Sequence, residues 1–231
     1  MNIVVMISAD IEWQTILELH PCAQIFQSPM GEWFIDNLDV FNHKKPVRYF
    51  HGGWGKIAAA ASTQYAIDQW KPDLLINLGT CGGIEGEVEK GTIILVDCAI
   101  VYDLIEQMGD SISAIDHYTT RLDLSWLGTN YPIRVLKTSI ISGDKDLLVE
   151  ELQDLKQRYN ARVGDWESGA IAYVASRNQI PLLILRGVTD LVSSAGGEAY
   201  GHFELFEQAS QTIMQGLDRS LSGWIEIAGM L

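Results

Sequence analysis

Short aliphatic runs alternate with longer segments of mixed polar and apolar residues along this chain. The short runs are rich in β-branched residues and bounded by turn formers, which predicts strands at 3–7, 23–27, 31–38, 46–50, 74–78, 92–97, 135–142 and 182–188. The longer segments predict helices at 11–19, 58–70, 146–158, 168–178 and 203–221. Strands that alternate with helices are typical of a sheet covered by helices. We therefore predict an α/β fold: a three-layer single domain over residues 1–231, with a central mixed twisted sheet flanked by helices.

Three segments depart from this regular pattern. Residues 79–83 (GTCGG) follow an apolar strand and predict a flexible turn, where glycine permits close approach of the backbone to a ligand. Residues 103–132 show weak periodicity and predict a long excursion from the sheet. Residues 192–201 contain Gly and Ser and predict a loop before the last helix.

Composition and charge exclude several classes of protein. Acidic residues outnumber basic ones by 30 to 16, for a net charge of -14, so a nucleic-acid backbone would be repelled. No stretch reaches the ~20 apolar residues that a membrane span needs. The three cysteines lack paired spacing, which indicates neither a disulfide framework nor a zinc site. These features predict a cytoplasmic protein without nucleic-acid or membrane partners.

Three acidic residues stand where predicted strands end or helices begin. Glu12 follows the first strand, Glu167 precedes the helix at 168–178, and Asp190 follows the apolar strand at 182–188. In open α/β sheets, ligands bind at the carboxyl ends of the strands. Three carboxyl groups near one crevice would take different protonation states, as acid–base chemistry requires. Each acid alone also fits a plain role in a helix turn or loop, but their joint placement favours a shared site.

Other candidate residues have weaker patterns. Residues 53–56 (GWGK) lack the spacing of a phosphate loop, because Phe50 stands at the first glycine position and Ile57 at the hydroxyl position. Cys81 could be a nucleophile, but no histidine is close in sequence, and buried cysteine is common as a small apolar filler. The aromatic side chains that could enclose a flat ligand, or simply belong to the core, are Trp54, Trp166, Phe203 and Phe206.

Six short blocks occur in the order found in a known family. They are residues 7–12 (ISADIE), 53–56 (GWGK), 77–83 (NLGTCGG), 142–144 (SGD), 165–170 (DWESGA) and 186–190 (RGVTD). Together they resemble the purine nucleoside phosphorylase and nucleosidase superfamily, and most of all its 5'-methylthioadenosine/S-adenosylhomocysteine nucleosidases. The resemblance implies hydrolysis of a purine nucleoside with release of adenine, without a metal or an organic cofactor. It also implies a homodimer, for which the apolar residues around 100–126 could supply the interface.

The resemblance implies roles for particular residues. Glu12 matches the acid that orients and activates the attacking water. Asp190 matches the acid that donates a proton to N7 of the departing purine. Glu167 matches the residue that holds the ribose hydroxyls, with Arg186 nearby. The further substrate contacts that it implies are Trp54, Thr80, Cys81, Gly82, Leu147, Trp166 and Phe203.

Two departures from the family pattern bear on the reaction. The related phosphorylases bind phosphate with arginines, and Asn77 stands at one of those positions here, which favours water as the nucleophile. Residues 145–148 (KDLL) lack the aromatic residue that usually stacks on the base. Three alternatives therefore stay open: a phosphate-dependent purine nucleoside phosphorylase, a futalosine-type nucleosidase, or a non-catalytic nucleoside-binding protein.

Overall fold

The computed structural model describes residues 1–229, without the side chain of Ser111. Within this range one mixed sheet contains eleven strands. The strands are β1 (Ile3–Ile7), β2 (Phe26–Ser28), β3 (Gly31–Val40), β4 (His43–His51), β5 (Leu74–Ile84), β6 (Ile93–Val101), β7 (Thr120–Arg121), β8 (Leu136–Ser142), β9 (Val163–Asp165), β10 (Leu182–Ser193) and β11 (Gly196–Gly197). The helices are α1 (Asp10–Leu19), α2 (Lys56–Trp70), α3 (Ser111–Tyr118), α4 (Leu152–Tyr159), α5 (Ser168–Arg177) and α6 (Phe203–Ala228).

Five of the strands close into a ring. Strand β10 pairs with β5 on one side and with β6 on the other, and the ring continues through β8 and β9 back to β5. The α/β class and the mixed sheet are therefore confirmed, but the three-layer arrangement around an open central sheet was wrong. The ring can close because β5 and β10 are long, at 11 and 12 residues, and a register shift between Val188 and Asp190 bends β10.

The remaining strands extend the sheet beyond the ring, and helices cover it on two sides. Strand β1 lies parallel to both β4 and β5, and β3 and β2 follow in antiparallel pairs. Helices α1 and α6 pack together over a core that contains Trp13 and Trp224. Helices α2 and α5 pack together over a second core that contains Phe50. Alternate residues of β1 supply both cores, since Val5 belongs to the first and Val4 to the second.

The glycine-rich segment 79–83 is a strand rather than the predicted turn. It continues β5 and pairs with residues 186–191 of β10. Packing requires two of its glycines, because a Cβ at position 79 would lie 1.8 Å from Arg186 Nη1, and one at position 83 would lie 2.8 Å from Val188. Strand β10 likewise continues beyond Asp190, which was predicted to follow it. Pairing between strands distant in sequence thus overrides the local turn preference.

Several other segments differ from the prediction in ways that affect the site. Helix α4 begins at Leu152 rather than at 146, so residues 143–148 form a loop. The irregular segment 103–132 contains α3 and β7, and β9 was not predicted. Ile105, Met108 and Ile112 in the predicted dimer interface are exposed, and the homodimer itself stays a prediction. Among residues 1–229, no helix has the length and apolar composition needed to cross a membrane.

Candidate active site

A cavity of about 600 Å³ is lined by residues of α1, β5, β10 and the start of α5. All three acids singled out from the sequence line it, so the predicted shared crevice exists. Ten of the eleven predicted site residues line this cavity: Glu12, Trp54, Thr80, Cys81, Gly82, Leu147, Trp166, Glu167, Asp190 and Phe203. The exception is Arg186.

Glu12 lies in the first turn of α1 and is 2% exposed. Its Oε1 accepts hydrogen bonds from the backbone N–H of Thr80 at 2.6 Å and from Thr80 Oγ1 at 2.8 Å. Its Oε2 accepts a hydrogen bond from the backbone N–H of Ala9 at 3.2 Å. Three donors therefore hold the carboxylate in one orientation at the cavity wall, as a group that directs a water molecule requires.

Glu167 is the N-cap residue of α5 and is buried. Its Oε1 accepts a hydrogen bond from the backbone N–H of Gly55 at 2.9 Å, and its Oε2 lies 3.8 Å from Arg186 Nη2. Burial raises the pKa of Glu167 to about 8, and the negative charge of Asp165 adds to this effect, while Arg186 and the Gly55 N–H oppose it. Glu167 therefore titrates near neutral pH and can either donate or accept a hydrogen bond.

Asp190 lies in β10 directly after the register shift. Its Oδ1 accepts a hydrogen bond from Thr189 Oγ1 at 2.7 Å. Burial raises the pKa of Asp190 above its ordinary value, and the negative charges of Glu198 and Asp146 act in the same direction. The hydrogen bonds from Thr189 and the Ala199 N–H oppose the rise without cancelling it. A carboxyl group that keeps its proton to a higher pH than usual suits a general acid.

Arg186 is the one predicted site residue that the structure does not bring to the cavity. Its side chain is 0% exposed, and its Nη2 lies 2.9 Å from Asp165 Oδ2 and 2.7 Å from Asn77 Oδ1. Its Nε donates to Ser168 Oγ at 3.0 Å. A buried guanidinium must be paired, so these contacts determine its position. Arg186 therefore pairs with Asp165 behind the cavity wall and does not itself line the cavity.

Asp165 is a cavity residue that sequence reasoning missed. It accepts hydrogen bonds from Ser142 Oγ at 2.5 Å and from the backbone N–H of Ser168 at 3.1 Å, besides its ion pair with Arg186. These contacts join β8, β9, β10 and α5 directly beside Glu167. A signal was present, because Ser142, Asp165 and Ser168 all stand within the six sequence blocks that resemble a known family.

Two aromatic residues of the cavity were also missed. Tyr102 follows β6, and Tyr200 lies in the loop 192–201 before α6. Burial raises the pKa of both tyrosines, that of Tyr200 to about 12, so both hydroxyls are neutral donors at ordinary pH. Nothing local in the sequence marks either residue, since single tyrosines occur throughout the chain.

Aromatic rings border the cavity at two of the predicted substrate contacts. Trp54 and Phe203 are 59% and 64% exposed, and each lies near a second aromatic ring, Trp166 at 5.5 Å and Phe206 at 6.0 Å between centroids. These rings give the cavity an apolar border.

Cys81 is buried, which raises the pKa of its thiol, so the structure does not favour it as a nucleophile.

Replacement of Glu167 by Gln is expected to remove a pH dependence of folding stability. The pKa of about 8 in the folded protein lies above the ordinary 4.5, so the folded state holds this proton more tightly than the unfolded chain. The resulting stability is fully present below pH 4.5 and is lost as the pH rises through about 8, by at most about 5 kcal/mol. Because Glu167→Gln stays neutral, its melting temperature relative to the parent should rise by several degrees between about pH 5 and about pH 9.

Thermal melts of Glu204→Gln provide the matched control, because Glu204 is exposed at the start of α6. The control should keep a constant offset from the parent over the same pH range. A constant offset for Glu167→Gln as well would contradict a carboxyl group whose pKa is raised by burial.

Comparison with known proteins identifies relatives of this chain. A family model described as "Phosphorylase superfamily" matches residues 26–222. A 5'-methylthioadenosine/S-adenosylhomocysteine nucleosidase of Staphylococcus saprophyticus is 31% identical over 211 residues, covering 80% of this chain and 90% of the relative. The nucleosidase of the same name from Streptococcus pneumoniae, solved with a transition-state inhibitor, has a TM-score of 0.76 at 16% identity, covering 98% and 99% of the two chains. A Helicobacter pylori mutant solved with 5'-methylthioadenosine in its active site also has a TM-score of 0.76, at 17% identity and 95% and 97% coverage.

Proposed function

Because this chain belongs to the phosphorylase superfamily, we propose that it hydrolyses the N-glycosidic bond of 5'-methylthioadenosine or S-adenosylhomocysteine and releases adenine. One observation carries the proposal: Glu12, Glu167 and Asp190, distant in sequence, line a single cavity. A cavity of about 600 Å³ is also of the size that small-molecule ligands occupy. The names of the Staphylococcus saprophyticus and Streptococcus pneumoniae relatives supply the choice of nucleoside.

Asp190 is the proposed general acid. A purine anion is a poor leaving group, and a proton on N7 lets the base depart as a neutral molecule. The raised pKa of Asp190 supports this role, because the carboxyl group must carry its proton when the substrate binds. Its position at the cavity wall gives that proton access to a bound base.

Glu12 and Glu167 are the proposed residues on the sugar side of the bond. The ribose becomes oxocarbenium-like as the bond breaks, and nearby carboxyl groups stabilise the growing positive charge. The three hydrogen bonds that Glu12 accepts keep it in one orientation, which supports its role in directing the attacking water. Glu167 can donate or accept a hydrogen bond near neutral pH, which supports its role in holding the ribose hydroxyls.

The charges around the cavity support water rather than phosphate as the nucleophile. Among the described residues that line the cavity, Lys145 is the only basic one, and its Nζ lies 2.6 Å and 2.7 Å from the two carboxylate oxygens of Glu151. Arg186, close to the acids, is already paired with Asp165 and Asn77. A phosphate dianion would therefore meet Glu12 and Glu167 without a guanidinium fork to bind it.

The test measures adenine release from 5'-methylthioadenosine in phosphate-free buffer and in buffer with added phosphate. We expect the same rate in both, with a free 5-methylthioribose product detected by its reducing end. The control is the same assay without protein, which corrects for spontaneous cleavage. Release that depends on phosphate, with a sugar 1-phosphate as product, would show a phosphorylase, and tight binding without any release would show a binding protein.

A further inference from the structure

Tyr200 connects two loops at the edge of the cavity. Its side chain lines the cavity, and its hydroxyl donates a hydrogen bond of 2.8 Å to the backbone carbonyl of Leu147. The two residues are 53 positions apart in sequence. Leu147 lines the same cavity from the loop between β8 and α4. The hydrogen bond thus ties the loop before α6 to the loop after β8.

A glycine lies in close contact with the same ring. A Cβ at Gly197 would lie 2.6 Å from two ring carbons of Tyr200, so the ring lies directly on the backbone at that position. The backbone N–H of Tyr200 donates to the Gly197 carbonyl at 3.1 Å, and Gly197 itself pairs with Val192 of β10. The tyrosine side chain is therefore held by its hydroxyl group and by close contact between its ring and a strand of the sheet. Such a fixed ring is a preformed wall rather than a freely moving side chain.

Tyr200 lies at the same end of the cavity as Asp190. The backbone N–H of Ala199, the residue before Tyr200, donates a hydrogen bond to Asp190, and Asp190 and Tyr200 both line the cavity. If Asp190 protonates the purine, the base must lie within reach of this ring. The loop 145–148, by contrast, offers Leu147 and no aromatic side chain.

We propose that Tyr200 is the aromatic wall against which the purine base is held, with its ring kept in place by contact with Gly197 and by the hydrogen bond to Leu147. This inference rests on the proposed function. It assigns base recognition to a residue of the loop before α6, because a fixed aromatic ring can stack on a purine without reading its edge. On the sugar side of the cavity, Glu12 accepts hydrogen bonds from Thr80 and Glu167 accepts one from Gly55, whereas the Tyr200 hydroxyl donates to Leu147.

The test compares Tyr200→Leu and Tyr200→Phe by titration calorimetry with two probes, free adenine and 5-methylthioribose. Tyr200→Leu is expected to weaken adenine binding about tenfold or more, because base stacking on an aromatic ring is lost. Its affinity for 5-methylthioribose should be unchanged, because that probe has no base. Tyr200→Phe retains the ring and should keep adenine affinity within about threefold of the parent. Tyr118→Leu is the matched control, since Tyr118 is similarly exposed, at 37% against 39%, and lies outside the cavity.

Two results would overturn this inference while leaving the proposed function intact. One is unchanged adenine affinity in Tyr200→Leu, in a parent protein that binds adenine and cleaves 5'-methylthioadenosine. The other is an equal loss of affinity for both probes, which would mean that the residue supports the loop rather than the base. Failure of the parent protein to bind adenine or to cleave the nucleoside would overturn the proposed function, and the role of Tyr200 with it.

Discussion

Asp190→Asn is expected to lower kcat for adenine release by about 10²- to 10⁴-fold, the range typical of a lost general acid. The amide is close in size to the carboxyl group, and its oxygen can still accept the hydrogen bond from Thr189. The variant should therefore fold and bind nucleoside, but it cannot transfer a proton to the departing base. The measurement is steady-state release of adenine from 5'-methylthioadenosine, with thermal melts to verify folding.

Two controls separate the loss of a proton from a general loss of activity. Asp68→Asn makes the same chemical change at an exposed acid of α2 outside the cavity and should retain the parent activity. A riboside with a 4-nitrophenolate leaving group needs no protonation, so Asp190→Asn should cleave it at a rate within about tenfold of the parent. The parent should also lose activity towards the purine nucleoside as the pH rises through the raised pKa of Asp190, because only the protonated carboxyl group can donate. Near-normal purine release by Asp190→Asn would remove this residue from the proposed role.

Glu12→Gln is the second change with a large expected effect, a decrease in kcat of about 10²-fold or more with little change in KM. The glutamine oxygen can still accept the two hydrogen bonds from Thr80, so the side chain should stay in place. Its amide nitrogen cannot accept the hydrogen bond from Ala9, and a neutral amide neither takes a proton from water nor stabilises a positive sugar. The loss should therefore appear in the chemical step rather than in binding.

Single-turnover release of adenine measures that step directly. Asp10→Asn is the matched control, because Asp10 lies in the same helical turn with a side chain that is 82% exposed and does not line the cavity. The control should cleave the nucleoside at the parent rate. A Glu12→Gln protein that retains more than about a tenth of the parent rate would show that another group activates the water.

Much of the site could be predicted because its residues lie at local boundaries that the sequence displays. Glu12 stands just after a buried strand, and Glu167 just before an amphipathic helix, which places both at the edge of the sheet without any knowledge of pairing. Asp190 was singled out in the same way, by its place after an apolar run, although β10 continues past it, and the resemblance to a known family then assigned a role to each acid. The structure brings all three to one cavity, as that reasoning required.

The prediction failed where a residue's position depends on a distant strand. Residues 79–83 have the composition of a turn, yet they form the end of β5 because β10 offers a complete set of pairing partners. Arg186 was predicted to contact the substrate, as a charged side chain near the acids could. It is wholly buried instead, because its guanidinium group is paired with Asp165, Asn77 and Ser168. The closed ring of five strands follows from the same pairing, which no local pattern describes.

Periodicity and position beside a strand or helix were enough to predict the α/β class, most of the strands and helices, and the three acids of the candidate site. Three features became visible only in the folded protein: the closure of the sheet on itself, the ion pair of Asp165 with buried Arg186, and the hydrogen bond from Tyr200 to Leu147, 53 positions away in sequence. The reason is that the free energy of the whole packed chain selects such contacts, and the residues adjacent in sequence do not specify a distant partner.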